Sequence, residues 1–248
     1  MWDLAADILL PSSCGRLALA SNTVRMTAEQ LSQLWAFARG DIAEISFEKW
    51  FLVQDDLEAP LGEDLHWSLA SADYRDRDVV WKLRKSLAQH LGAHEKCECA
   101  SIRDLAAIPM GGDGLDERVF ATIENVRDHG GDLWWLYLSR CSECGQYWMI
   151  AQEERIFDEY FLRRISKETA EGILTDTWPD EFITYERVLN VGHKFATPCV
   201  FLDAMSGSLI WSAEDLRKTR PEITVDEIAR LLGVTPKNAK RLLQAKGS

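Results

Sequence analysis

The stretch LWWLYLSRCSECGQYWMIA, residues 133–151, places a C-x-x-C pair between two apolar runs. The runs 133–138 and 148–151 are rich in aromatic and aliphatic side chains, which predicts two strands. Gly145 follows the second cysteine, and a glycine there permits a positive φ that turns backbone N–H groups towards sulfur. The stretch therefore predicts two strands joined by a metal-binding turn.

A second cysteine pair, Cys97 and Cys99, lies upstream at C-x-C spacing, and with Cys141 and Cys144 it supplies four thiolates. Four protein ligands complete a tetrahedral zinc site and leave no open position, so we expect a structural zinc ion. His94 is an alternative ligand in place of Cys97 or Cys99. A redox C-x-x-C normally opens a helix, whereas a strand is predicted here. Four free buried thiols are the other alternative.

The remaining cysteines, Cys14 and Cys199, stand alone in apolar surroundings and are predicted to be inert core thiols. Clustered rather than evenly spread cysteines indicate metal binding and a reducing compartment.

The first ten residues, MWDLAADILL, lack a basic region and do not read as a secretory signal. No apolar run approaches the roughly 20 residues of a membrane helix. We therefore expect a cytoplasmic protein without a membrane partner.

Residues from about 27 to 91 read as helical. Thr27 and Gln30 have the spacing of a capping box, and Ser46 is predicted to cap a second helix. A third helix carries an apolar stripe from Val79 to Leu91 and is expected to stop at Gly92.

Strands are predicted after Cys97, where residues 119–126 and 133–138 flank the turn residues 129–131. A further strand is predicted at residues 156–162, although the segment QEERIFDEYFLRR, residues 152–164, could equally be helical, and Ser166 is expected to cap a short helix. The predicted fold class is α+β: N-terminal helices, a small antiparallel sheet around the zinc-ribbon-like site of four cysteines, and a C-terminal helical hairpin. The corresponding parts are residues 1–92, 93–212 and 213–248.

The C-terminal stretch TVDEIARLLGVTPKNAKRLL, residues 224–243, resembles a helix-turn-helix unit. Gly233 stands at the predicted turn, and Thr235 with Pro236 reads as the N-cap and first residue of the second helix. Residues 216–248 carry a net charge of +5. Because the whole chain has a net charge of −12, the rest of it carries −17.

The basic second helix contains Lys237, Asn238, Lys240 and Arg241, which are the candidate contacts with DNA or with a protein partner. Helical pairs of this pattern also occur in proteins that never touch DNA. A packing role for the hairpin is therefore the alternative interpretation.

No catalytic motif is recognisable: G-x-S-x-G, H-E-x-x-H and the P-loop are all missing from the sequence. The acidic pairs 55–56, 63–64, 153–154 and 158–159 are expected to form solvated faces rather than acid–base dyads. We therefore expect a protein that is not an enzyme. Ten tryptophans serve either core packing or a protein-binding face.

Two segments carry a resemblance. Residues 37–50, from FARGDI to FEKW, resemble the opening helices of small acidic immunity proteins of bacterial toxin–immunity systems, and CSECGQYWMIAQEERIFDEYFLRR, residues 141–164, resembles a zinc-ribbon block. The resemblance implies a non-enzymatic immunity or antitoxin-like protein that binds and neutralises a basic toxin or effector domain. The acidic body suits fast association with such a partner. The alternative is a zinc-stabilised transcriptional regulator that binds DNA through its C-terminal segment.

Overall fold

A computed structural model describes residues 26–93, 95–111, 114–131, 135–195, 199 and 201–245. Within these ranges the chain is α+β, as the sequence predicts, and combines helices with a five-stranded antiparallel sheet. The helices are α1 (Ala28–Arg39), α2 (Glu44–Phe51), α3 (Glu58–Leu61), α4 (Glu63–Ala70), α5 (Arg77–Gly92), α6 (Leu115–Phe120), α7 (Lys167–Leu174), α8 (Tyr185–Lys194), α9 (Gly207–Thr219), α10 (Val225–Leu231) and α11 (Pro236–Leu242). The strands are β1 (Leu105–Pro109), β2 (Ile123–Asp128), β3 (Leu136–Cys141), β4 (Tyr147–Glu153) and β5 (Glu159–Ile165).

The N-terminal helices α1 to α5 enclose a core of their own. Thr27 and Gln30 form the predicted capping box at the start of α1. Phe37 and Phe47 stack at the centre of this core, with ring centroids 3.8 Å apart. The prediction that Ser46 caps α2 is wrong, because α2 already begins at Glu44 and no side chain caps it.

The sheet has the strand order β1-β5-β4-β3-β2, with every neighbouring pair antiparallel. Strands β2 to β5 form a meander in which each strand pairs with the next along the chain. The first strand pairs with the last, so that Leu105 lies opposite Arg163. This pairing brings the segment that contains Cys97 and Cys99 to the sheet.

Two details of the predicted strands differ from the structure. Val119 lies in helix α6 rather than in a strand, and it is buried in the core on one face of the sheet. The strand predicted at residues 156–162 is present as β5, but it begins only at Glu159, after a turn at residues 154–157. The helical alternative for residues 152–164 is wrong.

The two faces of the sheet belong to different cores because side chains alternate along each strand. Trp148 and Ile150 lie in the core that contains Cys99 and Cys141. Met149 and Ala151 lie in a larger core with apolar residues of α8 to α11.

The predicted boundary between residues 212 and 213 falls within α9, and the C-terminal helices share their apolar core with the sheet. The division into three parts remains a prediction. Within the described ranges, no helix is long and apolar enough to cross a membrane.

Candidate metal centre and binding surfaces

Four cysteine sulfurs meet at one end of the sheet. The Sγ atoms of Cys97, Cys99, Cys141 and Cys144 all lie within 4.8 Å of one another. Cys97 and Cys99 come from the 3₁₀ turn Glu98–Ala100 and the residue before it, and the other two from the end of β3 and the turn that follows. The structure therefore brings together the four residues that the two spacings single out. His94 lies outside the described residues.

The turn between β3 and β4 has the geometry that the glycine predicts. Gly145 has a φ of +74°, and its backbone N–H donates to the Cys141 carbonyl over 3.0 Å. The Cys141 N–H donates to the carbonyl of Gln146 over 2.9 Å, which closes the turn. A side chain at residue 145 would be strained by the left-handed backbone. Cys141 and Cys144 are thus held on one side of a rigid turn.

Two side chains of the sheet contact the segment that carries Cys97 and Cys99. The indole N–H of Trp148 lies 3.3 Å from the Cys99 sulfur and is placed to donate to it. Arg164, directly opposite Trp148 on β5, has its guanidinium 4.6 Å from the Trp148 ring centroid. It also donates to the backbone carbonyls of Cys99 (2.7 Å) and Ile102 (2.9 Å). Trp148 and Arg164 therefore tie the C-x-C segment to the sheet.

The environments of the thiols differ. Burial raises the pKa of the Cys97 thiol to about 11 and also raises the pKa of Cys99. Burial acts in the same direction on Cys141, but the Thr122 hydroxyl and nearby backbone amides outweigh it and lower its pKa to about 6. The Thr122 oxygen lies 3.5 Å from the Cys141 sulfur. One thiolate of the cluster is therefore stabilised by the protein itself.

The cluster is suited to hold a metal ion. Sulfurs at about 2.3 Å from a tetrahedral ion are about 3.8 Å apart, which lies within the 4.8 Å limit of the observed cluster. A donor set of four thiolates favours soft or borderline ions and disfavours calcium and magnesium. Because four protein ligands fill a tetrahedral shell, the site can serve structure but offers no position for a substrate.

The other predicted contact residues lie elsewhere. Lys237, Lys240 and Arg241 are exposed on α11, and Asn238 is half-buried with its backbone N–H capped by Thr235. Helix α11 packs in the core on the opposite face of the sheet from the cysteines. The turn before α11 has Gly233 at a φ of +64°, in close contact with Cys199.

Cys199 is half-buried, and burial raises the pKa of its thiol to about 11, which fits the predicted inert thiol. Cys14 lies outside the described residues.

One acidic residue differs from its expected role on a solvated face. Glu153 is buried, and its carboxylate accepts hydrogen bonds from the backbone of Ile156 and Phe157 and from the hydroxyl of Tyr185 at 2.5 Å. Burial raises the pKa of Glu153, and these hydrogen bonds oppose the shift. The carboxylate holds the turn between β4 and β5 in place. Its partners are all part of the protein, which indicates a structural role.

An acidic groove of about 460 Å³ lies between the end of α2 and the start of α4. We use "acidic groove" for the cleft lined by Asp55, Asp56, Glu58, Ala59, Gly62 and Glu63. Apart from Asp56, which accepts from Gln30 over 2.7 Å, these carboxylates make no hydrogen bond or ion pair with other described side chains. Trp67 follows Glu63 by one helical turn and is 70% exposed. Glu63 of the groove and the exposed Trp67 thus lie on the same face of α4.

No protein-family model, no curated protein and no solved structure matches this chain.

Proposed function

We propose that this protein is a non-enzymatic, immunity or antitoxin-like protein of the cytoplasm that binds and neutralises a basic toxin or effector domain. The observation that carries the proposal is the acidic groove with Trp67 on its flank. Carboxylates at such a surface accelerate the approach of a cationic partner, and an aromatic anchor supplies contact energy after docking. In this proposal the cysteine cluster stabilises the fold and takes no part in binding the partner.

We further propose that the metal of the cluster is zinc. Four cysteine sulfurs within 4.8 Å of one another fit the tetrahedral thiolate shell that zinc takes in structural sites. Elemental analysis of protein purified without added metal is expected to give about one zinc per chain. Another metal, or a stoichiometry near zero, would contradict this assignment.

Charge reversal within the acidic groove tests the binding proposal. The variant Asp55→Lys/Glu58→Lys/Glu63→Lys leaves Asp56 and its hydrogen bond to Gln30 intact. Association with the product of the neighbouring gene, measured by biolayer interferometry at low salt, is expected to slow by on the order of 10- to 100-fold.

The control reverses three exposed acids outside the groove, Glu124, Glu168 and Glu171, and so makes the same change in net charge. The control variant is expected to retain most of the association rate. If the two variants slow association equally, the groove has no special role and only the net charge matters. If neither slows it, the proposal fails.

A second candidate function is DNA binding by α11. Lys237, Lys240 and Arg241 occupy one exposed face of this helix, and none of them forms an ion pair within the described part of the chain. Cations on the second helix of such a pair are what contacts with phosphates and base edges require. This interpretation makes the protein a zinc-stabilised transcriptional regulator.

Reversal of Lys237, Lys240 and Arg241 to Glu separates the two candidates. A DNA-binding helix would lose affinity steeply, and the dependence of log K on log salt would flatten by about one unit per lost contact. An immunity protein would keep its partner with little change. If the intact protein binds duplex DNA in a salt-dependent way and the triple variant does not, the protein is a transcriptional regulator.

A further inference from the structure

A groove of opposite charge lies on the N-terminal helices, along α5. We use "cationic groove" for this cleft of about 480 Å³, whose walls include Arg75, Arg77, Trp81 and Arg84. Glu44 is the one acid among the described residues that line it. The groove therefore carries a local charge of +2 in a chain whose net charge is −12.

The indole of Trp81 is exposed at this groove. Trp81 is 61% exposed, although large aromatic side chains are usually buried. Arg77, Trp81 and Lys85 follow one another at intervals of one helical turn, and the Lys85 ammonium lies 5.3 Å from the Trp81 ring centroid. The exposed ring is thus flanked by cations on the same face of α5.

The guanidinium groups differ in how firmly they are held. Arg84 pairs with Glu44 over 3.0 Å and lies 5.2 Å from the ring centroid of Phe37, which fixes its position at the base of the groove. Arg75 and Arg77 are exposed and form no ion pair within the described ranges. Two cations with free hydrogen-bonding forks therefore stand beside the exposed indole.

Neighbouring aspartates are engaged in local structure. Asp73 accepts from the backbone N–H of Arg75 over 3.0 Å, and Asp76 caps α5 by accepting from Asp78 and Val79. Neither carboxylate lines the groove. The cationic side chains consequently remain the dominant charges there.

We propose that the cationic groove binds a nucleotide, either free or within a single strand of nucleic acid, with the base stacked on Trp81 and a phosphate held by Arg75 and Arg77. Guanidinium forks match the geometry of phosphate oxygens, and an exposed indole offers the π-face on which a base stacks. An acidic peptide would satisfy the arginines but would add no partner to the face of the Trp81 indole that Lys85 does not cover. The cleft volume lies in the range of ordinary small-molecule sites.

Fluorescence anisotropy of the full-length protein tests the proposal with two probes: a fluorescein-labelled deoxythymidine oligomer and a fluorescent adenosine monophosphate. Trp81→Ala is expected to weaken binding by about 5- to 150-fold, the range for loss of one stacked base. Trp81→Phe keeps a π-face and should restore most of the affinity. Arg77→Glu should flatten the salt dependence by about 0.7 in log K against log salt.

Trp67→Ala is the matched control, because Trp67 is similarly exposed but lies beside the acidic groove. Binding of both probes with this pattern assigns the groove to a free nucleotide, and binding of the oligomer alone assigns it to a strand. The proposal is overturned if neither probe binds, if Trp81→Ala and Trp67→Ala behave alike, or if a polyglutamate peptide competes as well as the oligomer. Because no toxin is used, the outcome does not depend on the proposed neutralising function.

Discussion

Replacement of Trp148 by Phe tests whether the sheet tunes the metal centre. Phe keeps an aromatic ring beneath Arg164 but removes the indole N–H that lies 3.3 Å from the Cys99 sulfur. Loss of one hydrogen bond that an outer-shell side chain donates to a metal ligand weakens metal affinity by about 10- to 100-fold. This corresponds to about 1.4–2.7 kcal/mol of binding free energy. Competition with a chromophoric chelator measures the affinity directly.

Trp135→Phe is the matched control, because Trp135 is also buried but lies in the core on the opposite face of the sheet. Both substitutions leave a small void and are expected to lower the free energy of unfolding, so stability alone cannot distinguish them. Only Trp148→Phe should lower metal affinity. Cobalt substitution provides a second measurement, since the sulfur-to-cobalt absorption band should shift when a hydrogen bond to sulfur is lost. Equal metal affinities for the two variants would refute the role assigned to Trp148.

Three further substitutions address the fold. Gly233→Ala places a side chain at a positive φ and against Cys199. The free energy of unfolding, measured by urea titration, should fall by about 2–4 kcal/mol. A loss below about 0.5 kcal/mol would contradict the turn geometry. Gly192→Ala drives a methyl group into the ring of Phe157, so the melting temperature should fall although alanine favours helices by about 1 kcal/mol. Hydrogen bonds at the α10 N-cap hold the pKa of Glu227 at about 2, against an ordinary value of 4.5. The carboxylate of Glu227 therefore stabilises the fold above pH 4.5, and this contribution is lost as the pH falls towards 2. Glu227→Gln should flatten the acid limb of the stability profile, and an unchanged profile would argue against the cap.

Local signals predicted the features that depend on neighbours in sequence. The spacing of Cys141 and Cys144, followed by Gly145, specifies a turn that is complete within six residues, 141–146. The capping box of Thr27 and the start of α11 after Thr235 likewise depend only on residues close in sequence. Such features need no knowledge of the fold.

Features that depend on strand register could not be predicted in the same way. Trp148 and Arg164 contact the C-x-C segment together only because β4 and β5 place them opposite each other, and that register is not visible in either segment alone. Glu153 beside Glu154 reads as part of a solvated pair, yet the turn that follows buries it. The surfaces along Trp67 and Trp81 depend on helix packing for their exposure.

The pairing of the first strand with the last has a consequence for the order of folding. Strands β2 to β5 pair with their neighbours in sequence through short connections and should form early. Strand β1 pairs with β5, from which α6 and β2 to β4 separate it in sequence, and this separation slows its docking. The thiols divide in the same way, with Cys141 and Cys144 in the meander and Cys97 and Cys99 ahead of β1. A metal ion can therefore be held by all four sulfurs only once β1 has docked on β5. Without metal, the edge of β5 is expected to stay unpaired for longer during refolding, and an unpaired edge strand is a template for edge-to-edge aggregation.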